Sequence, residues 1–141
     1  MKMCIIYWSG TGNTEAMANL ICEGAVSAGA DVTLKEVSSA AVSDITDADI
    51  AVFGCPAMGD EILEEDEFEP FMNTVTSMLN GKKIGLFGSY DWGDGEWMRI
   101  WESDVKKAGA VLLKEGLIIN LEPAGDDVEL CREFGKEIAG M

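Results

Sequence analysis

The chain has 141 residues, 48% of them hydrophobic, and carries 26 acidic against 10 basic side chains for a formal net charge of -16. That length and apolar fraction suit one compact domain, residues 1–141, with a sizeable core, while the charge repels nucleic acid and anionic membrane surfaces and draws in a basic protein partner. Histidine is absent, which removes His-based triads and the commonest transition-metal ligand.

In chain order, the first apolar run is "MCIIYW" (3–8), read as a buried strand; it is too short for a membrane span, and no later run approaches the length of roughly 18 residues that one needs. A cytoplasmic protein is expected. The turn "SGTGNT" follows, then a helix over Thr14–Ala28 with Met17, Leu20, Ile21 and Ala25 on one side. A second strand over 32–37 leads into the least regular stretch, Ser38–Asp47, where a short helix or turn has to reach the third strand, 49–54. The turn "CPAMGDE" comes next, and seven of the ten residues from Asp60 to Glu69 are acidic, a run that reads as a solvated face or a docking rim. A helix over Glu67–Asn80 aligns Phe68, Phe71, Met72, Val75 and Leu79. The fourth strand, 83–88, opens into "SYDWGDGEW"; a helix from about Glu96, a fifth strand within 110–119 and a last helix carrying Cys131, Phe134 and Ile138 complete the chain. Cys4, Cys22, Cys55 and Cys131 stand in separate elements without a C-x-x-C pair and read as small buried hydrophobes.

Strands one, three and four are almost continuously apolar, as in a parallel sheet covered on both faces. Alternation with helices then implies a doubly wound α/β sandwich of three layers, with five parallel strands in the order 2-1-3-4-5. In that order ligands bind beyond the carboxyl ends of the strands beside the switch point. The turns after strands one, three and four are the ones rich in glycine and small polar residues; the second and third also hold Met58, Tyr90, Trp92 and Trp97. Ser9, Gly10, Thr11, Gly12, Asn13 and Thr14 would offer successive backbone N–H groups and hydroxyls at a helix N-terminus, a nest for phosphate. A nucleoside-triphosphate loop is excluded by the missing Gly-Lys-Ser/Thr, and Glu15 occupies the third glycine position of the dinucleotide fingerprint. Neutral donors alone suit a terminal phosphate monoester held as a handle, with no chemistry at phosphorus.

The stretches "YWSGTGNTEAMA", "GCPAMGDE" and "LFGSYDWGDGEWM" resemble the phosphate loop and the two flavin-flanking loops of flavodoxins, of the short-chain type found in anaerobic bacteria, and the similarity runs through to "CREFGKEIAG". The resemblance implies a flavodoxin-like fold and non-covalently bound FMN, with no catalytic side chain and no metal. It further implies that Ser9 to Thr14 and Ser89 hold the phosphate, that Pro56 and Ala57 lie near the ribityl chain, and that Met58 and Trp92 cover opposite faces of the isoalloxazine with Tyr90 and Gly93 beside them. The Gly59-Asp60 peptide would flip on one-electron reduction and turn the Gly59 carbonyl toward flavin N5–H, and Glu61 would meet flavin N3. Asp91 stands where the family commonly has glycine, in "SYGWG", and the resemblance implies that the backbone N–H at this position lies near the flavin pyrimidine carbonyl; aspartate tolerates positive φ, and an added carboxylate there would disfavour the hydroquinone and loosen FMN.

The implied function is a low-potential one-electron carrier, working mainly between semiquinone and hydroquinone because each carboxylate about 10 Å away raises the hydroquinone anion by roughly 0.4 to 1.7 kcal/mol before screening. Implied partners are low-potential oxidoreductases with basic docking surfaces, and the protein is expected to be a monomer. Two other classes share the architecture. A small FMN or quinone reductase would need an NAD(P)H site, for which basic residues are lacking. A receiver domain needs paired acids after strand one and a lysine after strand five, where Trp8-Ser9-Gly10 and Asn120-Leu121-Glu122 stand.

Overall fold

The computed structural model describes residues 1–141. Its parallel sheet contains β1 (Lys2–Tyr7), β2 (Asp31–Glu36), β3 (Ile50–Gly54), β4 (Lys83–Tyr90), β5 (Val111–Leu112) and β6 (Leu117–Asn120), in the order β2-β1-β3-β4-β5 with β6 also paired to β4. Side-chain alternation along the strands divides the core in two. Met3, Ile5, Tyr7, Ile50, Val52 and Phe87 face α1 (Asn13–Ser27) and α5 (Asp126–Ala139). Cys4, Ile6, Ala51, Phe53, Ile84 and Leu86 face the short α2 (Val42–Thr46), α3 (Phe68–Val75) and α4 (Glu96–Lys107). Strands read as apolar on both sides are therefore the ones wedged between two helical layers. Cys4, Cys55 and Cys131 are buried and Cys22 partly so, which agrees with their reading as hydrophobes.

Two elements differ from the sequence reading. In place of a single fifth strand, β5 pairs with Lys83 and Ile84 while β6 pairs with Phe87 to Tyr90. Between the two segments the Gly116 amide donates to Glu102 Oε2 of α4 at 2.7 Å, so that amide serves α4 and leaves the ladder. The helix expected over Glu67–Asn80 ends at Val75 and tightens into a 3-10 turn over Thr76–Met78, where Thr76 Oγ1 donates to the Met72 carbonyl at 2.6 Å. Hydroxyls that bond back to helix carbonyls weaken or bend the helix in this way.

The start of α3 corrects the reading of the acidic run as wholly solvated, because Glu64 is buried. Its carboxylate accepts from the amides of Asp66, Glu67 and Phe68 at 2.7, 2.8 and 2.8 Å. Burial pushes its pKa up, but the Phe68, Glu67 and Asp66 amides outweigh burial and hold it below its ordinary 4.5. A carboxyl whose folded pKa is depressed stabilises the fold above its unfolded pKa, and that contribution fades as pH falls through the folded value. Glu64→Gln is therefore expected to cost about 1 to 3 kcal/mol at pH 7 and to make stability less steeply dependent on pH below 4.5. Urea denaturation at pH 7 and pH 4 checks this, and an equal acid slope in both proteins counts against it.

Candidate functional site

The strand ladder continues into the turns. Trp8 N donates to Gly54 O at 3.0 Å, Cys55 N to Phe87 O at 3.1 Å and Ala57 N to Ser89 O at 3.0 Å. These bonds draw the ends of β1, β3 and β4 around a cleft of about 210 Å³. From the first turn it is lined by Trp8, Ser9, Gly10, Thr11, Asn13 and Thr14, from the second by Pro56, Ala57 and Met58, and from the third by Ser89, Tyr90 and Asp91. Leu121, just past β6, completes the wall. No lysine or arginine is among the lining residues.

Thr14 and Ser89 are both buried, and their hydroxyls share a hydrogen bond of 2.9 Å across the floor. Ser9 Oγ closes the first turn by accepting from the amides of Gly12 and Glu15 at 3.1 and 3.2 Å. The amides of Gly10, Thr11, Asn13 and Thr14 donate to no acceptor in the chain, so the first turn of α1 presents free N–H groups beside the Thr14 hydroxyl. Tyr7 OH donates to Glu15 Oε2 at 2.9 Å; burial, then that bond, pushes the phenol up to about 12. Burial likewise pushes the Cys55 thiol up to about 12, so this thiol stays protonated and inert.

The second turn is a tight reversal. Met58 and Ile62 exchange both backbone hydrogen bonds, at 2.9 and 3.2 Å, while Gly59 has a φ of 22° and Glu61 a φ of 56°. Glu61 Oε1 accepts from the amides of Gly95 and Glu96 at 3.2 and 3.1 Å and so caps α4, and its carboxyl lies against Gly93. Second and third turns are thereby tied together. Gly12, Gly59, Asp60, Glu61, Trp92 and Gly93 lie outside the lining, with Trp92 60% exposed at the rim.

Asp91 does not need its tolerance of positive φ; that conformation falls on Gly93 and Gly95, at 91° and 90°. A side chain at position 91 therefore costs the turn no backbone strain. Nothing in the sequence pointed to Leu121 as part of the site, and Trp8 both lines the cleft and packs against the core. Trp97 and Trp101 are buried in the core, with Trp97 Nε1 donating to Cys55 O at 3.2 Å. Another cleft of about 210 Å³ lies at the opposite end of the sheet among Lys2, Asp31, Asp44 and Asp47. It sits at the amino ends of β1 and β2, away from the switch point where doubly wound sheets bind ligands.

A 2-1-3-4-5 sheet whose switch-point cleft joins a free-amide helix start to apolar side walls defines a protein of the doubly wound class that holds a phosphate-tailed cofactor. The chain belongs to the flavodoxin family: the family model described as "Flavodoxin" matches residues 5–135. It is 49% identical over 140 residues to a flavodoxin of Clostridium beijerinckii, covering 99% of this chain and 100% of that one. With a flavodoxin of Megasphaera elsdenii it shares 46% identity over 135 residues, 96% of each chain. The solution structure of two-electron reduced Megasphaera elsdenii flavodoxin superposes with a TM-score of 0.90 at 44% identity, covering 99% of both chains. These are short-chain flavodoxins, and the family binds FMN and carries electrons between protein partners. No helix of this chain is long and apolar enough to cross a membrane.

Proposed function

We propose that residues 1–141 act as one FMN-binding unit, a low-potential one-electron carrier that works mainly between the semiquinone and hydroquinone states of its cofactor. FMN, when bound, supplies the redox centre; the chain supplies the grip and the field. In this reading the amides of Gly10, Thr11, Asn13 and Thr14 and the hydroxyls of Thr11, Thr14 and Ser89 hold the phosphate. Pro56 and Ala57 face the ribityl chain, Met58 and Trp92 cover the two ring faces, and Tyr90, Asp91 and Gly93 frame the pyrimidine end. Ser9 and Gly12 shape the nest: one hydroxyl closes it, and Gly12 enters α1 with a φ of 96°. Glu61 uses Oε1 on α4 and leaves Oε2 to accept from flavin N3–H.

The observation that carries the low potential is a cleft without any cationic side chain in a strongly anionic chain. Between Lys2 and Lys82 the one basic residue is Lys35, and it is paired with Asp44 at 3.0 Å. Carboxylates around the cleft disfavour an added electron, with little to offset them. The rim supports a docking role as well: Ile62 of the second turn and Trp92 of the third are exposed, and the second turn and the run after it carry Asp60, Glu61, Glu65 and Asp66, a mix of apolar and acidic groups that suits a basic redox protein. We place the protein in the cytoplasm as a monomer between encounters.

Anaerobic reductive titration of the purified protein tests the carrier reading. A blue intermediate after one electron is expected; direct two-electron bleaching, or consumption of added NADPH, would point to a reductase instead. In the same titration Gly59→Val reports on the backbone of the second turn. A β-branched residue resists a φ of 22°, and loss of one Gly59 carbonyl hydrogen bond lowers the one-electron intermediate about 2- to 12-fold. An unchanged yield removes the Gly59-Asp60 flip from the account.

A further inference from the structure

We infer that Asn120, at the end of β6 and outside the cleft, is a positioning residue that aims two backbone donors of the third turn at the cofactor ring. Its Nδ2 group donates to the carbonyls of Tyr90 and Asp91 at 3.2 and 3.3 Å, and the Leu121 amide holds the Tyr90 carbonyl as well, at 2.8 Å. Both carbonyls therefore point toward β6. In a trans peptide the C=O and the following N–H point in opposite directions, and the chain contains no cis peptide bond. The amides of Asp91 and Trp92 consequently point away from β6.

The direction away from β6 is the direction of the cleft, because β6 flanks β4 on one side while β3 and β1, whose turns form the cleft, lie on the other. Neither amide has an acceptor within the chain. Together they are two neighbouring neutral donors on the cleft side of the turn, suited to the pyrimidine carbonyl that the family resemblance sets near position 91, with affinity rising as that oxygen gains negative charge. The same clamp accounts for tolerance of Asp91: with its carbonyl tied to Asn120, the peptide keeps its orientation without a glycine, and the side chain remains exposed.

This inference rests on FMN as the ligand, and the test keeps the two apart. Asn120→Ala removes the donor and the bulk; Asn120→Leu restores the bulk alone. Asn120 is exposed, so both variants should fold. In each apoprotein, NMR order parameters of the Asp91 and Trp92 N–H bonds should fall from about 0.85 toward 0.6 or below. FMN dissociation constants should rise at least about threefold in both variants, inorganic phosphate should bind as in the parent, and the lower of the two midpoint potentials should drop. Order parameters and FMN affinity unchanged in both variants, or restored by leucine, overturn the positioning role. If the parent protein itself fails to bind FMN, the ligand assignment falls, and the order parameters alone decide whether Asn120 holds the turn.

Discussion

Thr14→Val is expected to weaken FMN binding about ten- to a hundredfold, the range that corresponds to one lost hydrogen bond to a charged group. Valine keeps the shape and β-branching of threonine at the first turn of α1, so backbone and packing change little. What disappears is a hydroxyl in the floor of the cleft, buried and shared with Ser89 Oγ at 2.9 Å. The Ser89 hydroxyl then loses its side-chain partner as well, which removes a second neutral donor from its fixed position. No lysine or arginine lines the cleft to make up the loss. Thr14→Ser, which retains the hydroxyl, should bind FMN within a few-fold of the parent. Quenching of FMN fluorescence on titration with apoprotein measures both variants; a valine variant within twofold of the parent would show that the free amides alone hold the phosphate.

Gly135→Ala should destabilise the fold by about 1 to 3 kcal/mol, although alanine favours an isolated helix by about 1 kcal/mol over glycine. The contrast in sign makes the experiment informative. On α5, a Cβ at Gly135 would lie 2.0 Å from the Ile21 carbonyl oxygen of α1, and a Cβ at Gly24 of α1 would lie 1.9 Å from the Arg132 carbonyl oxygen of α5. The two helices thus touch backbone to backbone at a reciprocal pair of glycines. Neither contact can be relieved by a rotamer change, so the helices must separate, loosening Cys131, Phe134 and Ile138 from Met17, Ile21 and Ala25. Since α1 opens with the phosphate nest, the variant should also bind FMN more weakly. Urea denaturation of the apoprotein decides the point, and a variant as stable as the parent would mean the seam is looser than these distances require.

Several features of the site were legible because they follow from local chemistry. A turn that must bring backbone N–H groups to a phosphate needs glycine and short hydroxyl residues in sequence, and "SGTGNT" has them. Met58, Tyr90 and Trp92 were conspicuous as large apolar residues in turns. By contrast, Glu64 looked like one more acid in a solvated run and is a buried cap, because its amide partners become accessible only once α3 starts beneath it. Glu61 and Asn120 act across 34 and 30 residues respectively, distances over which a single sequence carries no pairing information. The tolerance of Asp91 for positive φ is not called upon, since the positive φ values fall two and four residues later.

By itself the sequence determined the layered architecture and the identity of the three cleft-forming turns. Apolar continuity sets which strands lie between helical layers, and turn composition sets where the backbone can approach an anion; both are properties of neighbouring residues. Tertiary structure alone decided the division of the fifth strand, the glycine seam between α1 and α5 and the clamp that aims the Asp91 and Trp92 amides. Each of those is a contact between segments remote in the chain, and its geometry exists only after the sheet has brought them within a few ångströms.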